Sequence, residues 1–165
     1  MKKNISLLFL TLLLFTSCPP EDELDSEEVN TTFNFTHNWD GTAVSNTNFN
    51  SIQYNNANGE ELSISKLRYL ISKITFHKSN GEKIILDGYN LVDVTNDENL
   101  AFTSINTIPT DVYSNVSFTF GFDNDDNSEN YQDLNSASWS VPAMLGGGYH
   151  FMQLEGKFID NSVTE

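Results

Sequence analysis

The residue pattern predicts an all-β fold, an antiparallel β-sandwich of Greek-key, immunoglobulin-like or jelly-roll-like arrangement. Three observations lead there. Short apolar runs alternate with polar residues at a period of two, as half-buried strands do. Between such runs sit Asp40-Gly41, a hairpin turn whose two positions both accept positive φ, and two further turn signals, Asn58-Gly59 and Asn80-Gly81. The composition agrees: 12 Phe, 6 Tyr and 2 Trp supply core bulk, and 21 Asn favour turns over long helices.

Taken in order, residues 1–17 come first and read as a leader. Lys2 and Lys3 precede an apolar run over residues 5–15, interrupted only by Ser6 and Thr11 and too short to span a bilayer. Phe15-Thr16-Ser17-Cys18 then places small residues ahead of the one cysteine, which resembles a bacterial lipobox. The expectation is a lipoprotein acylated at Cys18, bound to the membrane through its acyl chains at roughly 0.8 kcal/mol per buried methylene. The alternative is a secretory leader with an incidental thiol. The expected place is the cell envelope, lipid-anchored on the outer membrane, on its periplasmic or cell-surface face. Residues 18–31 hold Pro19, Pro20 and six acids within residues 21–28, the composition of an extended, solvated tether. Acids behind a lipid-bearing cysteine also resemble the surface-export signals of Bacteroidetes lipoproteins.

The folded domain is expected over residues 32–165. Phe33, Phe35, His37 and Trp39 alternate with polar residues, a half-buried strand that runs into the Asp40-Gly41 turn. Runs at 52–54 and 62–64 flank Asn58-Gly59, and runs at 74–76 and 84–86 flank Asn80-Gly81. Residues 66–74 have spacing compatible with a helix, but their β-branched and aromatic content favours a strand. Further strands are expected at 91–94, at 117–122 with Phe118, Phe120 and Phe122 on one face, and at 149–158. Residues 130–138 fit one short helix.

Charge and cysteine count exclude several functions. Of 165 residues, 23 are acidic and 8 are Lys or Arg, a net charge of −15. Loss of the leader would remove Lys2 and Lys3 and leave 23 acids against 6 bases. Such a chain repels phosphate backbones, so no nucleic-acid partner is expected. One cysteine cannot form an internal disulfide or a cysteine-based zinc or iron–sulfur site. An enzyme is not expected either, since HExxH, GxSxG, phosphate-loop and dinucleotide motifs are all missing from the sequence.

Few side chains remain that can do chemistry. His37 and Trp39 share a strand face, as a ligand imidazole with an aromatic neighbour or as a histidine capped by a carbonyl. Met144 precedes Gly146-Gly147-Gly148, and the strand behind the glycines carries His150 and Met152 on one face. Imidazole and thioether together suit copper, Cu(I) above all, better than calcium or magnesium. A core methionine beside a hydrogen-bonded histidine is the plainer reading. Asp123, Asp125, Asn127 and Glu129 set oxygen donors at alternate positions, as a calcium loop would. The EF-hand pattern fails there, because a loop starting at Asp123 has Ser128 at position six and Leu134 at position twelve.

Four separated blocks, in order, resemble the MbnP-type copper-binding proteins, a family that includes many Bacteroidetes lipoproteins. They are FNFTHNWDG at 33–41, LSISKLRYLIS at 62–72, VSFTFGFD at 116–123 and GGGYHFMQLEG at 146–156. The resemblance covers about residues 33–160. It implies an exported β-sandwich that binds copper and works beside a di-haem cytochrome c peroxidase-like protein, which in some relatives oxidises a tryptophan to kynurenine. His37 and His150 fall in the family's His-containing strands and become the copper candidates, with Met144 or Met152 as soft donors. Trp39 and Trp139 are the near-metal aromatics, although Trp139 departs from the Trp-x-Trp form of other members. Relatives continue well beyond a position like Glu165, so the resemblance also implies either a fragment or a short subfamily.

The expected function is therefore an envelope copper-binding lipoprotein, for acquisition or delivery. The alternative is a surface module that binds glycan or protein, with structural calcium in the acidic loop.

Overall fold

The computed structural model describes residues 26–160. The leader, Cys18, the start of the tether and residues 161–165 lie outside the described residues. Twelve strands and one short helix follow in order. They are β1 (Glu28–Val29), β2 (Thr32–Asn34), β3 (Asn38–Trp39), β4 (Thr42–Ala43), β5 (Tyr54–Asn55) and β6 (Glu61–Lys78). Then come β7 (Lys83–Ile85), β8 (Tyr89–Asp93), β9 (Ala101–Thr103), β10 (Ile108–Pro109), β11 (Tyr113–Phe120), α1 (Gln132–Ser136) and β12 (Met152–Phe158). All strand pairs are antiparallel, as the alternation and turns predict. Among the described residues no helix is long and apolar enough to cross a membrane.

The sheet is organised by β6, which is 18 residues long. Along one side it pairs with β12 and then β11; along the other it pairs with β5, β8 and β7. Two expected strands, at 62–64 and 66–74, are thus one. What interrupts the period of two are bulges. Glu155 and Gly156 pair with Lys66 and Ile64, and Ser117 and Thr119 pair with Thr75 and Ser72, so β6 gains a residue at each place. The second bulge holds Lys73 at φ +49°, an uncommon conformation for a side-chain-bearing residue. Each bulge resets the parity, so Ile64, Leu67, Ile71 and Ile74 all face the main core although Ile64 and Leu67, and again Ile71 and Ile74, lie three positions apart.

That core lies between β6 and the N-terminal layer. Val44, Phe49, Tyr54, Ile64, Leu67 and Val92 make one buried cluster; Ile71, Ile74, Phe76, Leu86 and Ile108 make its neighbour. The covering pieces are short pairs: β1 with β10, β2 with β9, and the β3–β4 hairpin. In that hairpin Asp40 and Gly41 sit at φ +46° and +80°, the turn the pair predicts. Because β1 pairs with β10, the last residues of the expected tether belong to the folded domain.

The opposite face of β6 carries a smaller core. Leu70, Leu91, Phe122, Leu134, Trp139 and Tyr149 bury each other there, under α1 and the loops around it. The expected common face for Phe118, Phe120 and Phe122 does not form. The strand ends at Phe120, Gly121 turns the chain at φ +89°, and Phe122 enters the small core while Phe120 stacks on Tyr69 across the sheet. A Cβ on Gly121 would run into the Phe151 ring, so close approach adds a second demand for glycine.

Candidate metal centre

His37 lies on the bend between β2 and β3. Backbone bonds pin this stretch: Phe35 N–H donates to Leu100 O (2.8 Å) and Val44 N–H to His37 O (2.9 Å). Every second residue from Phe33 to Trp39 is half-buried, so the alternation survives where the strand breaks. The His37 ring turns inward to Tyr69, in the middle of β6. Nε2 stands 2.8 Å from Tyr69 Oη, and the rings meet edge-on at 5.6 Å. Tyr69 is itself held, stacked on Phe120 at 5.7 Å and edge-on to Phe35 at 6.2 Å.

Across the β6–β12 ladder, Met152 is the register partner of Tyr69. His37, Trp39, Tyr69, Phe120, Met152 and Leu154 consequently line one cavity of about 380 Å³. Trp39 forms a fixed wall of it, its Nε1–H donating to Asn55 O at 2.8 Å and its ring tilted against Tyr54. Burial pushes the His37 imidazole below its usual pKa and raises the Tyr69 phenol to about 12. At neutral pH the pocket therefore presents a neutral imidazole and a protonated phenol.

The other sequence candidates lie elsewhere. Arg68 and Tyr69 are consecutive on β6 and point to opposite faces. The Arg68 guanidinium lies over Trp139, 5.1 Å from its ring centre, and His150 meets that tryptophan edge-on at 5.8 Å. So the sheet stands between His37 and His150. The alternation that would set His150 beside Met152 breaks before β12 begins. There Tyr149 bridges Ser140, and His150 N–H donates to Trp139 O (3.1 Å), before the chain joins β6 at Met152. Met144 is exposed in the turn joining these two stretches.

In the acidic loop the cation is Lys73 from the bulge. Its Nζ binds Asp123 and stands 3.3 Å from Asp126 Oδ2, and this pairing holds the Asp123 carboxyl below the usual range. Asn127 Oδ1 accepts Tyr149 N–H at 2.8 Å, so two of the four oxygen-donor residues already have partners within the fold. His77 bonds Ser117 Oγ through Nε2 (2.7 Å) on the neighbouring strand.

Chemically, the cavity offers one imidazole, one thioether and an aromatic, largely apolar wall. That donor set is soft and fits copper better than hard cations. Among the described residues no three His, Cys, Asp or Glu side chains gather as a metal cage. Tyr69, the ring partner of His37, went unassigned in the sequence because its role depends on strand register. Its place on an apolar face was the one available signal.

Compared with known families, the chain matches the family model described as MbnP over residues 28–164. No curated protein and no solved structure matches it.

Proposed function

The chain belongs to the MbnP family, and from that premise we propose that it binds copper as cargo, in the cell envelope, through His37 and Met152. The observation that carries this is the shared cavity, which brings an imidazole and a thioether from distant parts of the chain into one aromatic pocket. His37 Nε2 faces Tyr69, so the ring nitrogen left for a metal is Nδ1. In that tautomer Nε2–H donates to Tyr69 Oη, which fixes the ring as outer partners of metal-bound histidines do. His150 and Trp139 form a separate pair, and Met144 lies outside the cavity. The partner that the family suggests for uptake or delivery is a di-haem cytochrome c peroxidase-like protein.

Copper titration of the full chain tests the assignment. His37→Ala is expected to weaken binding by more than about a hundredfold, beyond the 10–100-fold that an outer partner supplies. His150→Ala should weaken it far less. A His37→Ala protein that binds as tightly as the parent removes the proposed centre.

Tyr69→Phe keeps the ring packing against Phe35 and Phe120 but loses the hydroxyl. Affinity should fall by about 10–100-fold while the melting curve stays close to that of the parent.

The pH dependence follows from burial. Protons compete with copper only below the His37 pKa, which is lowered from 6.5. Affinity should therefore hold as pH falls through 6.5 and decline only beneath it. A decline that begins well above 6.5 would contradict a buried imidazole ligand.

A further inference from the structure

On the small-core side of the sheet, a groove runs between β8 and α1. None of its walls comes from β12 or from the residues after it. Tyr89 spans it. The ring leaves β8 and packs edge-on against Phe122 and Tyr131 at 5.2 and 4.9 Å, and its hydroxyl donates to Asp133 Oδ1 of α1 at 2.6 Å. Tyr89 therefore borders two hollows. One, of about 330 Å³, lies towards the turn after β8; the other, of about 290 Å³, lies towards the β7–β8 connection. Each is close to the lower bound of small-molecule pockets, about 300 Å³.

Both hollows set one fixed cation among acceptors. In the first, Arg68 is held by Asp93 and Ala137 O, with Asn90, Glu98 and Asp133 around it. Asn90 is only 8% exposed. Its Nδ2–H donates to Asn99 O at 2.8 Å, while its Oδ1 bonds to nothing among the described residues. An amide oxygen so deeply placed ordinarily has a donor. The Glu98 carboxylate is also without a partner there, and Asp133 engages only Oδ1. In the second hollow, Lys73 is held by Asp126 and stands with Asp87 and Tyr131. Asp87 uses Oδ2 to accept from Asn106, and among the described residues Tyr131 Oη bonds to nothing.

A ligand for such walls accepts from a cation and donates to carboxylates at several points, and lays an apolar surface against a tyrosine. Hydroxyl groups do the first, since each both donates and accepts. The C–H faces of a sugar ring do the second. Charge narrows the class. Asp87, Asp93, Glu98, Asp126 and Asp133 line the hollows against Arg68 and Lys73, so the groove repels acidic sugars. Nor do three of these carboxylates gather closely enough to hold a metal ion. From this pattern we propose that the groove binds a neutral oligosaccharide, one sugar ring in each hollow with Tyr89 between them. Asn90 Oδ1 and Glu98 accept hydroxyls of one ring, and Asp87 with Tyr131 Oη bonds the other. The sheet separates this groove from the His37–Met152 cavity, so sugar binding does not depend on copper.

The test is calorimetric titration of the full chain, in a detergent without a sugar headgroup. The probes are maltotetraose, cellotetraose, mannotetraose and xylotetraose, with tetragalacturonate as the acidic control. At least one neutral tetrasaccharide should bind, its monosaccharide about tenfold more weakly or worse, and tetragalacturonate not at all. Glu98→Ala in one hollow and Asp87→Ala in the other should each weaken that binding by about tenfold or more, the loss of one charge-assisted hydrogen bond. Both side chains are exposed, so the melting curves should stay close to that of the parent. His37→Ala should bind the sugar as the parent does. Absence of binding by all four neutral probes, equal binding of tetragalacturonate, parent-like affinity in both carboxylate variants, or loss of sugar binding in His37→Ala would each overturn the inference.

Discussion

Trp139→Ala is expected to lower the unfolding free energy by about 3–5 kcal/mol, the usual cost of deleting a buried large aromatic. Trp139 is fully buried and is the largest side chain of the small core beneath β6. The Arg68 guanidinium rests on its ring and His150 meets it edge-on, so truncation strips partners from two further residues. Its Nε1–H is buried without an acceptor, a fault that phenylalanine would not share. Trp139→Phe should accordingly cost much less than the alanine change. Denaturant titration followed by far-ultraviolet dichroism measures both. An alanine variant within about 1 kcal/mol of the parent would mean that this core collapses freely around the gap.

Asp93→Ala should cost about as much, roughly 3–5 kcal/mol, because it leaves a buried guanidinium without its counter-charge. Arg68 Nε stands 2.9 Å from Asp93 Oδ2, an ionic contact and not an aligned hydrogen bond, and both side chains are largely shielded. Arg68 also donates from both terminal nitrogens to Ala137 O at 3.2 Å, which keeps it in place when its partner is lost. Asp93 in turn accepts from the backbone and side chain of Asn96, shaping the turn that follows β8. The double change Arg68→Met, Asp93→Leu should recover much of the loss, since apolar residues can replace a buried pair without penalty. If the double variant is as unstable as the single one, the turn at Asn96 carries the cost instead of the ion pair.

The hairpins were legible in the sequence because their cause is local. Asp40-Gly41, Asn58-Gly59 and Asn80-Gly81 turn the chain whatever surrounds them, and β3–β4, β5–β6 and β6–β7 follow. β6 was harder to read for a physical reason. Its two bulges space the core-facing residues as 64, 67, 71 and 74, steps of three and four that imitate a helix. Only β-branched and aromatic content argued for a strand. At the site, His37 and Trp39 could be read because period-two burial persists across the break between β2 and β3. The position of His150 could not, since nothing local announces that the chain bonds to Trp139 before it joins the sheet. The short strands β1, β9 and β10 were equally hidden; two or three residues carry no period.

The paired bulges also govern which changes in chain length the protein can absorb. Between them, residues 67–72 assign Tyr69 to the His37 pocket and Arg68 to the Trp139 core. One inserted or deleted residue in that stretch would exchange the two sides. A cation would enter the donor cavity, and the phenol that orients His37 would be driven under α1. Gene-level insertions should thus accumulate at tips such as Asn80-Gly81 and be purged from the middle of β6, so that the spacing from Leu67 to Ser72 is inherited as one indivisible word.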